Sequence, residues 1–392
     1  MHTPLTTRRE FISSVAAASL SASLASGRAA DGPTYKAAII GRTGHGDYGH
    51  GFDTIFAGLP NVSVEAIADD NPDGLKRAAE RSRAKRQYSD FREMLRKERP
   101  QLVSIAPRHP DLHKEMALAA MEVGAHLIVE KPFTEHLDDA DEIVRVARER
   151  KLQIAVGHKN RYTDHFVRMQ RHLKEGFFGD ILEMRVQGKQ DQRSGGEDLI
   201  VLGTHDFDTM RFFFGEPLSC YATVTSEGKP ITKADVRKGR EPMLVAGDTV
   251  RARFDFPNNV VCTWQSIRAG GDWNIGPRGA ERWGFHIFGT KRILAYYSLS
   301  DPLFYDSPFL GHKTKTSDWK ALPDPKDWPP KPHHKHLARD LIQAIETGDA
   351  PLCSGDDGRW TIEMVSAAYE SHLASGPVRF PLKNRRNPLL RF

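Results

Sequence analysis

Residues 35–70 read YKAAIIGRTGHGDYGHGFDTIFAGLPNVSVEAIADD, and this stretch decides the fold. Tyr35–Ile40 is a short apolar run stopped by glycine, and Val62–Ala68 is a second run stopped by Asp69-Asp70. The same unit recurs downstream. Leu102–Ala106 ends at Pro107, His126–Val129 ends at Glu130-Lys131-Pro132, and Gln153–Val156 ends at Gly157. Between the runs, Leu112, Met116, Ala119, Ala120 and Val123, then Ala140, Ile143, Val144 and Ala147, recur with helical spacing. Short apolar strands alternating with amphipathic helices predict an α/β fold, a parallel doubly wound sheet covered on both faces. Such sheets place their ligand crevice at the carboxyl ends of the strands.

The glycines after the first run carry the chemistry. Gly44, Gly46 and Gly49 fit G-x-G-x-x-G literally, while Gly41, directly after the strand, suits the tight turn better; both registers stay open. Glycine tolerates positive φ and lets backbone N–H groups approach a pyrophosphate at a helix N-terminus. Asp69 ends the second strand where a carboxylate accepts ribose hydroxyls, and Asp70 adds a charge that repels a 2′-phosphate. The expected cofactor is therefore NAD in preference to NADP.

Working outward, residues 1–30 differ from everything after them. Arg8-Arg9 precedes Phe11-Ile12, a mild run of Ala, Ser, Leu and Val follows, and Ala29-Ala30 stands before the first strand. This predicts a twin-arginine signal peptide recognised by the Tat export machinery, cleaved near residues 29–30, with a periplasmic mature protein. Residues 31–158 form the nucleotide-binding unit and 159–392 the second unit. In the latter, Ile181–Gln187, Leu218–Thr225, Asp248–Phe256, Val260–Ile267, Gly284–Phe288 and Ile293–Tyr297 predict an open, largely antiparallel sheet. Helices are expected over Phe166–Lys174, from near Thr204, over His336–Glu346 and over Trp360–Leu373, and Pro302–Pro332 reads as a surface excursion.

Composition sets the limits. The 392 residues are 39% hydrophobic with 32 glycines, ample for a sizeable core. Three scattered cysteines form no disulfide framework and show no zinc spacing. The net charge of +5, with both signs interspersed, argues against a nucleic-acid partner. No apolar run is long enough for a membrane span, so no membrane contact is expected after leader removal. His333, His334 and His336 read as a solvated loop before a helix, and no metal is assigned.

The chain resembles the Gfo/Idh/MocA family, the relatives of glucose–fructose oxidoreductase and inositol dehydrogenase. The glycine turn after YKAAII and Asp69 after VEAIA carry the likeness. So do APRHPDLHKEMALAAMEVGAHLIVEKP (Ala106–Pro132), GHKNRY (Gly157–Tyr162), GTHDFD (Gly203–Asp208) and WGFHIFGTKRIL (Trp283–Leu294). It runs from about Tyr35 to Pro381. It implies a Rossmann domain, then an α+β domain with a mixed sheet that packs over the nicotinamide and supports a homo-oligomer.

It also implies roles. Gly41, Thr43, Gly44, Gly46, Asp69, Pro107, His113, Glu130 and Lys131 would surround the cofactor. Lys131 and His205 would be the catalytic acid/base groups, the lysine with a pKa lowered by burial and by the nicotinamide charge. Family dehydrogenases carry an aspartate four residues before the histidine, where this chain has Val201. Asp198 or Glu197 could replace it, and Asp208 could instead fix the loop. Arg161, Tyr162 and Asp198 are the candidate substrate contacts, with bracing of the domain junction an equal reading for Arg161.

Three functions follow. The first is hydride transfer between NAD and a hydroxyl of a small carbohydrate or polyol. The second is a redox-neutral glycosidase or lyase that oxidises a sugar transiently with tightly bound, self-recycling NAD. Export favours this second reading, because little free NAD exists outside the cytoplasm. The third is a non-catalytic sugar-binding or assembly protein on an inherited fold.

Overall fold

The computed structural model describes residues 34–268, 283–297, 300–311, 315–328 and 336–392. The leader, the loop 269–282 with Trp273, and His333-His334 lie outside them.

The first sheet consists of β1 (Tyr35–Ile40), β2 (Val62–Ala68), β3 (Arg86–Tyr88), β4 (Leu102–Ile105), β5 (His126–Val129) and β6 (Ile154–Val156). They pair in parallel in the order β3-β2-β1-β4-β5-β6. This is the doubly wound arrangement, with the order reversing beside β1. Burial explains the apolar runs: every residue of β4 and β6 is buried. The edge strand β3 carries Arg-Gln-Tyr and is half-exposed, so no apolar run announces it.

The stretch after β1 departs from expectation. No α-helix follows the glycines. Gly44, Gly46, Asp47, Gly49 and Gly51 all take positive φ, which no right-handed helix accommodates. The chain instead makes successive turns, closed by an Arg42–Asp47 bridge and by Gly44 N donating to Asp47 Oδ1 at 2.8 Å, and reaches only a short 3₁₀ turn at Phe52–Thr54. Gly46 is required on steric grounds, since a Cβ there would lie 2.5 Å from the backbone N of Arg108.

The second sheet is larger. Its path runs through 319–321, 303–305, 293–297, 284–289, β7 (Ile181–Gln187), 261–267, 249–255, 219–226 and 378–379. Only the pairing of β7 with 261–267 is parallel along this path. Alternate residues point opposite ways. Cys220, Ala222 and Val224 are buried, and Ala222 N donates to Ser371 Oγ of the helix Gly355–Leu373 at 2.8 Å. Tyr221, Arg251, Arg253 and Arg185 line a groove of about 910 Å³ on the opposite face. The proline-rich stretch is not merely an excursion, because two of its short strands extend the sheet edge.

The two sheets are joined around β6. Val156 N donates to Cys353 O at 2.8 Å, and Ala155 bridges Ser354. Just beyond β6, the buried Arg161 guanidinium pairs with Asp208 at 2.7 Å and Asp357 at 3.1 Å, and NH1 donates to Leu352 O at 2.8 Å. Asp357 also receives Arg211 at 2.7 Å. Removing one member of such a buried set strands its partners. Arg161→Met is expected to destabilise the protein by about 3–5 kcal/mol in urea unfolding; a loss under 1 kcal/mol would show that the cluster does not hold the junction.

Candidate active site

Lys131 and Glu130 stand at the carboxyl end of β5, where the parallel sheet meets the second domain. Lys131 is 4% exposed, and its Nζ donates to the backbone O of Val201 at 3.1 Å. Val201 closes a short helix, Gly196–Val201, that sequence periodicity was too brief to reveal. The valine's carbonyl, not its side chain, is thus what meets the lysine. Burial pushes the Lys131 amine below its ordinary pKa, with Glu130 and Glu241 opposing.

His205 lies in the first turn of the helix Gly203–Phe214, and its ring is 5.4 Å from that of His158, nearly perpendicular. His158 follows β6 and is fully buried, with both ring nitrogens unpartnered; His205 Nδ1 is likewise buried and unpartnered. Burial holds both imidazoles in the neutral form. His158 falls to about 4, and His205 well below its usual value, with Lys131 and His158 adding repulsion. His158 was missed in the sequence; its signal is a histidine directly after a strand-ending glycine.

Glu130 is completely buried. Its Oε2 accepts Lys131 N at 2.8 Å, and its Oε1 accepts His50 N at 3.2 Å and contacts His50 Nδ1. Burial alone would raise this carboxyl; His50 and Lys131 overcome it and hold it below the usual range.

Several expected site residues have partners within the protein. Arg161 is the junction brace described above. Tyr162 OH donates to Asp340 at 2.8 Å and accepts Cys353 N at 3.1 Å, so it braces the same junction. Asp198 is buried with Oδ2 on Ser266 Oγ at 2.6 Å and Gln190 N at 3.0 Å, while Oδ1 has no partner; burial lifts it to about 6. Glu197 accepts Arg240 N at 2.8 Å. The partners of these two carboxylates are Ser266, Gln190 and Arg240 rather than His205. Asp208 fixes Arg161. His113 is buried between two carbonyls, Pro107 O at 2.8 Å from Nε2 and Phe133 O at 3.0 Å from Nδ1, and so ties two strand ends together.

At the other end of the crevice, a cavity of about 210 Å³ lies between the ends of β1 and β2. Ile40, Gly41, Ala68, Asp69, Asp70 and Asp90 are among its walls. Asp69 is already engaged by the chain itself. It accepts Thr43 N at 3.1 Å, Thr43 Oγ1 at 2.7 Å, Tyr48 OH at 2.7 Å and Asn71 N at 3.0 Å. The Tyr48 ring lies against Gly41, where a Cβ would approach it to 2.0 Å. The glycine turn therefore serves as a clasp on Asp69 as well as a wall of the cavity. A dinucleotide fits the remaining donor set: a cavity at the β1–β2 edge with an acidic wall, and unpartnered buried polar atoms beside Lys131 at the β5–β6 edge. Among the described residues, no group of three His, Cys, Asp or Glu could hold a metal.

A doubly wound sheet with this crevice, backed by a mixed-sheet domain that contributes a histidine, defines a two-domain, dinucleotide-dependent oxidoreductase. Residues 35–158 match the Gfo/Idh/MocA model described as an oxidoreductase family with an NAD-binding Rossmann fold, and 171–380 match its C-terminal alpha/beta domain. The chain belongs to the Gfo/Idh/MocA oxidoreductases, with NAD as cofactor and CH–OH groups as the site of reaction. Among similar proteins, the levoglucosan dehydrogenase of Pseudarthrobacter phenanthrenivorans is 28% identical over 67% of this chain and 75% of its own. The D-apiose dehydrogenase of Paraburkholderia graminis is 25% identical over 80% and 82%. A levoglucosan dehydrogenase structure in complex with NADH and L-sorbose superposes with a TM-score of 0.69 at 21% identity, covering 89% of this chain and all of the other, which establishes the shared fold.

The depressed His158 pKa has a measurable consequence. An unfolded histidine binds a proton near pH 6.5 and the folded one only near 4, so the unfolded chain holds more protons between those values. Stability present above pH 6.5 is lost as pH falls, by about 3 kcal/mol at pH 4. His158→Leu should remove that slope in pH-dependent denaturation; parallel curves for the two proteins would show that His158 is not buried neutral.

Proposed function

We propose that this protein transfers hydride between NAD and a hydroxyl-bearing carbon of a sugar or polyol, with Lys131 as the group that takes and returns the hydroxyl proton. The observation that carries the reading is the Lys131 amine, buried at the strand edge, hydrogen-bonded to a neutral carbonyl and shifted toward its unprotonated form. Bound NAD supplies the hydride acceptor. This chain's own residues do the rest. Lys131 accepts the proton as the carbon–oxygen double bond forms, and the surrounding burial keeps water from competing. His205 and His158, neutral and with unpartnered nitrogens, offer hydrogen bonds to substrate hydroxyls. Carbohydrate chemistry is supported by the relatives: besides the two above, a 1,5-anhydro-D-fructose reductase of Ensifer adhaerens is 32% identical over 64% of this chain.

NAD is favoured over NADP by the cavity's charge. Asp69, Asp70 and Asp90 line it, and its two arginines are each paired, Arg42 with Asp111 at 2.9 Å and Arg92 with Glu115. NADP is expected to bind at least about tenfold more weakly than NAD in calorimetry, the like-charge penalty being of order 1–2 kcal/mol; equal affinities would overturn this preference.

A second reading rests on the paired arginines of the leader, Arg8-Arg9. An exported enzyme with permanently held NAD can oxidise a sugar, eliminate a substituent beside the ketone, and return the same hydride. Denaturing the exported protein and assaying the supernatant separates the two: stoichiometric nicotinamide supports recycling, and NADH accumulating with a free sugar supports net oxidation.

Lys131→Met should lower kcat/KM roughly 10²–10⁴-fold while the dissociation constant for NAD changes little. Oxidation should rise with pH through the lowered lysine pKa, because only the neutral amine accepts a proton. Unchanged turnover in Lys131→Met would refute the assignment.

A further inference from the structure

Lys131 and His158 are buried, so a proton taken from substrate needs a way out. The motif Gly49-His50-Gly51 supplies one that the proposed function leaves unused. The His50 side chain is 45% exposed, while its Nδ1 contacts Glu130, a carboxylate with no exposure at all. The site for that carboxylate is built. A Cβ at Gly49 would lie 2.7 Å from Oε1, and a Cβ at Gly157 would lie 2.7 Å from Oε2, so glycines from two loops make the space it fills. Lys131 N holds the same carboxylate from the other side at 2.8 Å. Lys159 Nζ, donating to His50 O at 2.7 Å, fixes the backbone that carries the ring.

We propose that His50, oriented by Glu130, is the proton exit of this active site, carrying the proton released by the reacting hydroxyl from the Lys131 end of the crevice to bulk water. The role rests on the oxidoreductase reading above. In oxidation the C–H electron pair leaves as hydride to the nicotinamide, the O–H bond breaks, and the proton passes by way of Lys131 to His50 Nε2. The Glu130 carboxylate on Nδ1 fixes the ring, and water then removes the proton; reduction runs the same path inward. Glu130 is a positioning residue. His205 has no carboxylate on its buried nitrogen, because Val201 stands where one is expected, and it lies near the amines of Lys131 and Lys159, whose charges oppose a second cation there. His50 is the imidazole of this group seated on a buried carboxylate, and its ring is half-exposed.

The test uses the full-length protein with NAD and the sugar giving the highest turnover in a screen of sugars and polyols. His50→Ala is expected to lower kcat about tenfold or more in dilute, bulky buffer and to recover with added imidazole, while NAD affinity by fluorescence titration stays within twofold. Glu130→Gln should show the same kcat loss without imidazole rescue, because His50 is still present but misdirected. A wild-type rate in His50→Ala, or a loss that imidazole does not restore, overturns the exit; a weakened NAD affinity in His50→Ala assigns the residue to cofactor binding and overturns it as well. Lys131→Met separates the two levels. If it is inactive and not rescued by imidazole while His50→Ala is unaffected, the exit fails and the oxidoreductase reading stands; if Lys131→Met keeps full activity, or no sugar turns over, both fall.

Discussion

The Arg161 guanidinium is the point on which this architecture turns. It leaves the end of β6, enters the second domain, and binds Asp208 on one helix and Asp357 at the start of another. The helix bearing Asp208 also bears His205, three residues earlier, so the brace sets where the histidine stands relative to Lys131 on the neighbouring strand. Burial raises the strength of these charge pairs and raises equally the penalty for leaving one unmatched. A flexible surface lysine in place of Arg161 could not reach three acceptors in one plane.

Around that brace the crevice holds a set of polar groups that folding alone does not explain. His158 Nδ1 and Nε2, His205 Nδ1 and Asp198 Oδ1 are buried without partners. Each such atom costs on the order of 1–3 kcal/mol, and the protein's remaining core, continuous from Ile40 through Phe207 to Trp264, sustains that cost. The paired rings of His158 and His205 place three of these atoms side by side, where a polar ligand can satisfy them.

The glycine-rich stretch shows how one local constraint serves two ends. Its positive-φ residues exclude the expected helix and fold the chain back, so that Thr43 and Tyr48 reach Asp69 while His50 reaches Glu130. One short loop therefore connects the β2 end of the crevice with the β5 end. Thr43, Tyr48 and His50 make the loop's bonds to the two strand ends.

The sequence by itself determined the alternation of strands and helices. β1, β2 and β5 begin and end where their apolar runs do, because a buried strand must be apolar and must stop where glycine, proline or charge appears, and β7 shows instead the alternation of a sheet with one covered face. It also pointed to Lys131 and His205, since a lysine after a buried strand and a histidine opening a helix stand out locally. It did not reveal β3, the helix Gly196–Val201, or the strands within the proline-rich stretch, which are too short or too polar to show a period. Nor could it assign Arg161, Tyr162, Asp69 and Glu130 to their partners. Those partners lie up to about two hundred residues away in sequence, and which donor meets which acceptor depends on packing across the junction. Local patterns specify elements; only the tertiary structure decides which buried charges face one another, because that choice is made by distances between elements rather than along the chain.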